Sequence, residues 1–144
     1  MTIAAAELRD RLAGLDGIGI REDGVWRMAW TEELAAAEAW FREQAAAAGL
    51  RVARDPAGSL WALPGGDGPW WATGSHLDSV RAGGRFDGPL GVAAALHAAA
   101  ALAAGGEALP ACGLATMSAF REHADVLRPA GGVIAVPAGP GLLG

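Results

Sequence analysis

The sequence predicts an α/β fold, and three observations carry that prediction. Residues 31–49 have the punctuation of an amphipathic helix: Thr31 as its cap, Glu32 and Glu33 in the first turn, and Gly49 just past the end. Residues 50–63 read as two short strands around the turn Asp55-Pro56-Ala57-Gly58, with Pro where such turns favour it. A short apolar run, Trp70-Trp71-Ala72, then leads into a Gly-rich polar loop and a long alanine-rich run. That is the layout of a buried strand, a loop and a helix. In α/β proteins, sites gather at the carboxyl ends of strands.

Taken in order, residues 3–14 predict a short helix, with Ile3, Leu8, Leu12 and Leu15 near one face. Gly14, Gly17 and Gly19 break it. Residues 26–30 read as a loop or short strand. In the helix from Thr31 to about Ala48, the apolar stripe is Leu34, Ala37, Phe41, Ala45 and Ala48, with Trp40 beside it. Core packing accounts for these aromatics more simply than a cofactor box does. Residues 50–54 alternate apolar and polar as a half-buried strand does, and residues 60–63 return as the partner. The loop at residues 65–69 lacks the G-x-G-x-x-G spacing of a dinucleotide site, and it precedes a strand instead of following one. Residues 70–74 are the next strand, expected to be central. The last helix spans about residues 89–104, with Pro89 in a first turn that does not need its missing N–H. His97 lies on it among alanines and reads as a packed or partly exposed histidine more readily than as a ligand.

Composition excludes several classes. The 144 residues are enough for one domain with a real core. The formal net charge is −5, with eleven arginines as the only strong bases, so no nucleic-acid footprint is expected. No run of like charges marks a membrane-surface segment. The small-apolar run at residues 92–104 is too short and too rich in alanine to span a bilayer. The N-terminus lacks the basic and long apolar regions of a signal peptide. Cys112 is the single cysteine, so there is no internal disulfide framework. A reducing, cytoplasmic setting is the expectation.

The chemistry concentrates in residues 73–92, TGSHLDSVRAGGRFDGPLGV. His76, Asp78 and Asp87 fall within twelve residues, among five glycines that let the backbone turn and approach a bound group. In His-x-Asp, one imidazole nitrogen can bind a metal while the other donates to a carboxylate, which fixes the tautomer and raises ligand basicity. Along an extended segment Asp78 points to the same side as His76. Asp87 precedes a helix in a turn where a carboxylate can face a cation. Each residue also has an ordinary reading taken singly: a strand-end histidine, a turn aspartate, a helix cap. The stretch as a whole is more specific than its parts.

GSHLDSV followed by GGRFDGPLGV resembles the signature of a family of metal-dependent amidohydrolases. That family includes N-carbamoyl-L-amino-acid hydrolases, allantoate amidohydrolases and β-ureidopropionases. It is related to the dizinc aminoacylases and carboxypeptidases. Upstream, LDGIG and then WRMAWTEELAAAEAWFREQAAAAGLRVARDPAGSLWALPG match the family in order and spacing, so the resemblance covers about residues 15–104. By it, His76 binds one metal, Asp87 bridges two, and Asp78 orients His76 and counts with the catalytic residues. It implies two divalent ions, with Zn²⁺ and Mn²⁺ both suited to His and carboxylate donors, a small-molecule substrate, and homodimers among the full-length relatives.

The resemblance weakens after residue 104. The family's next strand ends in Glu-Glu-Gly, which supplies the general base and a metal ligand. The corresponding region here, LPACGLATMSAFREHADVLRPAGGVIAV, has no acidic pair. Glu122, 35 residues after Asp87 and flanked by Arg121 and His123, is the candidate stand-in. Two further family histidines and the dimerisation domain would lie beyond residue 144. The expectation is therefore an α/β chain, the N-terminal portion of a dizinc-hydrolase catalytic domain with a mixed sheet flanked by helices. Residues 1–104 carry the metallohydrolase part and residues 105–144 form a divergent, unassigned tail. The expected function is hydrolysis of linear amide C–N bonds in N-carbamoyl amino acids or ureido compounds, in a copy that is incomplete and inactive alone. The alternatives are a metallopeptidase or deacylase of the same superfamily, and a non-catalytic remnant.

Overall fold

The structure, a computed structural model, describes residues 5–56, 58–63, 72–104 and 111–114. Helix α1 runs Ala5–Ala13. Leu8 and Leu12 pack against the core from one face of it, and Leu15 just beyond is buried. Ile3, expected on the same face, lies outside the described residues. The chain then forms a two-stranded antiparallel ribbon, β1 (Ile20–Arg21) with β2 (Gly24–Val25). The sequence gives no warning of this ribbon, because two-residue strands are too short for a period of two to show.

Helix α2 runs Glu32–Ala47 and begins and ends as its end signals predict. The Thr31 side-chain oxygen accepts from the Leu34 N–H at 3.3 Å, satisfying one of the free donors of the first turn. At the other end Gly49 takes φ +72°. Its N–H donates to Ala46 O, and the Leu50 N–H donates to Ala45 O, both at 2.9 Å. This is the paired closure that a left-handed residue makes possible. The buried stripe is Leu34, Ala37, Trp40, Phe41 and Ala45. Trp40 thus belongs to the stripe itself, and Ala48 is only half-buried.

Four strands make the main sheet: β3 (Arg51–Arg54), β4 (Leu60–Leu63), β5 (Ala72–Ser75) and β6 (Ala111–Leu114). Their order is β3-β4-β6-β5. The first two neighbour pairs are antiparallel and β5–β6 is parallel, so the sheet is mixed. The β3–β4 turn is stapled by Asp55, whose Oδ1 accepts from the Ser59 N–H and whose Oδ2 accepts from Trp61 Nε1–H, both at 2.8 Å. β3 does not alternate as expected: its two middle residues are half-buried and its two ends exposed. β5 is expected to be central but is the edge strand among the described residues, because β6 inserts between it and β4. Trp70 and Trp71 lie outside the described residues. So does the tail apart from β6, including Glu122 and His123.

Helix α3, Pro89–Ala104, makes the crossover from β5 to β6. Its small residues Ala93 and Ala99 are fully buried with Val92 and Leu96, so the helix lies close to the sheet. His97 is buried as well, with Nδ1 3.7 Å from Glu7 Oε2 on α1. Among the described residues, no helix is long and apolar enough to cross a membrane.

Phe41 is 1% exposed at the centre of this packing. Phe41→Ala should lower the unfolding free energy by about 3–5 kcal/mol. The readout is a lower urea midpoint at unchanged slope.

Candidate functional site

β5 ends at Ser75, and His76 follows at the strand end. Leu77 is buried in the core and Asp78 is 3% exposed, so this short segment is fixed from below while His76 stays half-exposed. The loop then runs to α3, with Asp87 two residues before the helix and 77% of its side chain exposed. The structure therefore brings together the three residues singled out in the sequence.

His76 Nδ1 lies 2.9 Å from the main-chain oxygen of Asp78 and 3.5 Å from its Oδ1. A carbonyl only accepts, so Nδ1 carries a proton, and in the neutral ring Nε2 keeps its lone pair. The sequence predicts the Asp78 carboxylate as the acceptor; the main-chain carbonyl of the same residue is the nearer partner of Nδ1. The carboxylate sits alongside, and its Oδ1 is buried with no hydrogen-bond partner. Asp78 raises the pKa of His76, first through its side chain beside Nδ1; burial opposes the rise, while the Asp78 carbonyl and the charges of Asp78 and Asp87 add to it.

The free lone pair faces the other carboxylate: Nε2 is 4.0 Å from Asp87 Oδ1. That is too long for a hydrogen bond. One zinc-like ion, roughly 2.0–2.2 Å from each donor, requires the two donors to lie within roughly 4.4 Å of each other. The gap meets that condition. Among the described residues no group of three or more His, Cys, Asp or Glu side chains converges to hold a metal. The donor set thus fits part of a cation shell.

Glycine makes the gap possible. Gly88 takes φ +92°, and a Cβ there would stand 2.4 Å from His76 O and 2.7 Å from the ring atoms Cε1 and Nδ1. Only a residue without a side chain lets the Asp87–Gly88 backbone pass this close to the imidazole.

Two arginines that sequence reasoning leaves without a role frame the site. Arg85 donates from Nε and Nη2 to the two carboxylate oxygens of Asp16, at 3.0 and 2.6 Å, tying the Asp87 turn to the loop after α1. Arg27 is buried and donates to main-chain oxygens, including that of Leu77, at 3.1 Å. The signal for Arg27 is an arginine inside the otherwise apolar WRMAW.

No protein-family profile matches the chain. The N-carbamoyl-L-amino-acid amidohydrolase of Pseudomonas sp. (strain NS671) is 39% identical over 101 residues, 67% of this chain and 24% of that enzyme. The corresponding protein of Geobacillus stearothermophilus is 39% identical over 99 residues, with 66% and 24% covered. Among solved structures, a hydantoinase/carbamoylase family amidase from Burkholderia ambifaria superposes with a TM-score of 0.70 at 33% identity, over 78% of this chain and 29% of that one. The chain spans about a quarter of the length of the curated relatives it matches.

Gly88→Ala should push the His76 ring away from its present place. The imidazole resonances of His76 should shift while those of His97, on the far part of α3, stay where they are. Unmoved His76 resonances would show that the contact with Gly88 does not set the ring position.

Proposed function

We infer that this chain is built as the N-terminal part of a hydantoinase/carbamoylase-type amidase, and we propose that the protein hydrolyses linear amide C–N bonds, of N-carbamoyl amino acid or ureido type. Resemblance to named amidohydrolases supports the reaction class. The observation that carries the reading is the 4.0 Å approach of His76 Nε2 to Asp87 Oδ1 at the carboxyl end of β5.

His76 through Nε2 and Asp87 through its carboxylate would hold divalent cation, with Zn²⁺ and Mn²⁺ both compatible with these donors. When bound, such ions lower the pKa of a water molecule and polarise a carbonyl. The chain's own residues prepare for this. The Nδ1–H bond to the Asp78 carbonyl fixes the tautomer that leaves Nε2 free. The buried Asp78 carboxylate keeps negative charge behind the ring and makes it a better donor. Asp87, exposed and just before α3, presents its oxygens from the opposite side. A glutamate would move the proton in the family's chemistry, and Glu122 is the residue of this chain proposed for that role. The second reading, a fold retained without a working shell, is favoured by the count of two cation-facing donors among the described residues.

Titration of residues 1–144 with Zn²⁺ or Mn²⁺ in a calorimeter separates these readings. The parent should bind, and His76→Gln or Asp87→Asn should abolish the heat. Asp78→Asn should weaken binding by ~10-fold, the low end of the ~10–100-fold range for such partners, because the main-chain carbonyl still holds the ring. A parent that binds no cation would sink the metal assignment.

With N-carbamoyl amino acids or allantoate as substrate, residues 1–144 alone should turn over far more slowly than about 1 s⁻¹, the low end of the ordinary enzyme range. Turnover in that range, lost on Glu122→Gln, would show that the tail supplies a working base.

A further inference from the structure

We propose that Arg27 is a positioning residue of this site, holding the His76–Asp78 segment in the geometry that turns Nε2 of His76 toward Asp87. Its importance to function rests on the cation-site reading above; its geometry does not.

Arg27 is 2% exposed. Among the described residues no carboxylate makes an ion pair with it, and its guanidinium donates to main-chain carbonyls: Nε to Leu77 O at 3.1 Å and Nη1 to Ile18 O at 3.2 Å. A buried cation without a counter-ion is costly, so an arginine at this place points to carbonyls that need a strong, forked donor. An ammonium group carries a single donor atom and cannot reproduce the fork.

The carbonyl it holds is the one between the two site residues. Leu77 is anchored twice, by its side chain in the core and by its carbonyl on Arg27. The guanidinium bond restrains the peptide plane between Leu77 and Asp78. The next plane carries the Asp78 carbonyl, 2.9 Å from His76 Nδ1, and its own N–H, that of Ser79, donates to the Arg27 main-chain oxygen. The backbone around Arg27 extends the same clamp. The Arg27 N–H donates to Ser79 Oγ at 2.9 Å, and the Ser79 N–H donates to Arg27 O at 2.8 Å. Ser79 Oγ–H donates to Val25 O at 3.1 Å. Val25 and Gly83 exchange two further bonds, at 3.0 and 2.9 Å. Residues 25–27 thus form a strap along the loop after His76. Only the guanidinium reaches the carbonyl between the site residues.

The test is nuclear magnetic resonance on the isotopically labelled 144-residue chain, without added metal, at a pH where His76 is neutral. Two signals are read. The carbonyl carbon of Leu77 reports its hydrogen bond, and the imidazole nitrogens of His76, assigned by their loss in His76→Gln, report the tautomer. The parent should show His76 with the proton on Nδ1. Arg27→Met and Arg27→Lys should both move the Leu77 carbonyl carbon upfield, with loss of the Nδ1–H signature in favour of the Nε2–H form that a free imidazole prefers. Far-UV circular dichroism and the dispersion of the other amides should stay as in the parent. If Arg27→Met does not fold, Arg27→Lys decides. A shifted Leu77 carbon with an unchanged His76 tautomer would make Arg27 a structural residue only and overturn the proposal. Unchanged signals at both places would overturn it too, as would failure of both variants to fold. A Zn²⁺ titration of the same parent sample keeps the two readings apart. If the parent binds no cation, the site assignment fails while the tautomer result still stands or falls by itself.

Discussion

Helix α3 starts within van der Waals contact of the strand it packs on, and the arrangement of the site follows from that closeness. At the two points of approach the chain has no side chain to spare. A Cβ on Gly88 would overlap the His76 carbonyl and ring, and one on Gly91 would stand 2.7 Å from the Ser75 Cβ. Further along the helix, Ala95 and Ala99 continue the small-residue face into the core. Because the helix can come so near, Asp87 just before it meets His76 just after β5. A bulkier seam would separate the two donors by more than one ion can bridge. The alanine and glycine load, which by composition alone says little, is at this seam the condition for the site.

Burial decides which polar contacts matter. The ion pair Arg85–Asp16 is exposed on both sides, where such pairs contribute about 0–1 kcal/mol. It steers loops more than it stabilises the fold. Two other charged side chains are buried: Arg27, whose guanidinium donates to main-chain carbonyls, and Asp78, whose Oδ1 lies 3.5 Å from His76 Nδ1. Burial lowers the pKa of Arg27, as expected where the charged form loses water. Arg27 fixes the Leu77 carbonyl and Asp78 follows Leu77 in sequence, so two of the four buried polar or charged side chains among the described residues border the His76 segment.

Much of this was legible in the sequence because its signals are local. Thr31 and Gly49 bound α2 through contacts three to five residues away, and Pro89 opens α3 for a reason contained in its own ring. Residues 60–63 are apolar enough to be read as β4. What escaped is set from a distance or too short to register. The β1–β2 ribbon has two residues per strand. β5 lies at the edge of the described sheet because a strand nearly forty positions later takes the place beside β4. That strand, Ala-Cys-Gly-Leu, lacks the β-branched residues that mark strands. The acceptor for His76 was assigned to the Asp78 side chain because a pattern names residues, whereas the choice between a carboxylate and its own carbonyl depends on how the backbone turns.

The same division runs through the site itself. His76, Asp78 and Asp87 belong to one strand-loop-helix unit, and closing a loop of that length costs little entropy. Their meeting is a local event, which is why a motif can announce it. The accuracy of the meeting is a different matter. Leu77 is held by Arg27, which is 50 positions away in the chain, and the Asp87 turn is tied to Asp16, which is 69 positions from Arg85. The loop after α1 serves both, giving the Ile18 carbonyl to Arg27 and the Asp16 carboxylate to Arg85. The clamps on the two donors converge there. Donors that are neighbours in sequence would find one another in many loops; a gap of 4.0 Å with the correct tautomer needs restraints from outside the loop. Residues 16–27 supply those restraints, so they are as much a part of the candidate site as the motif itself.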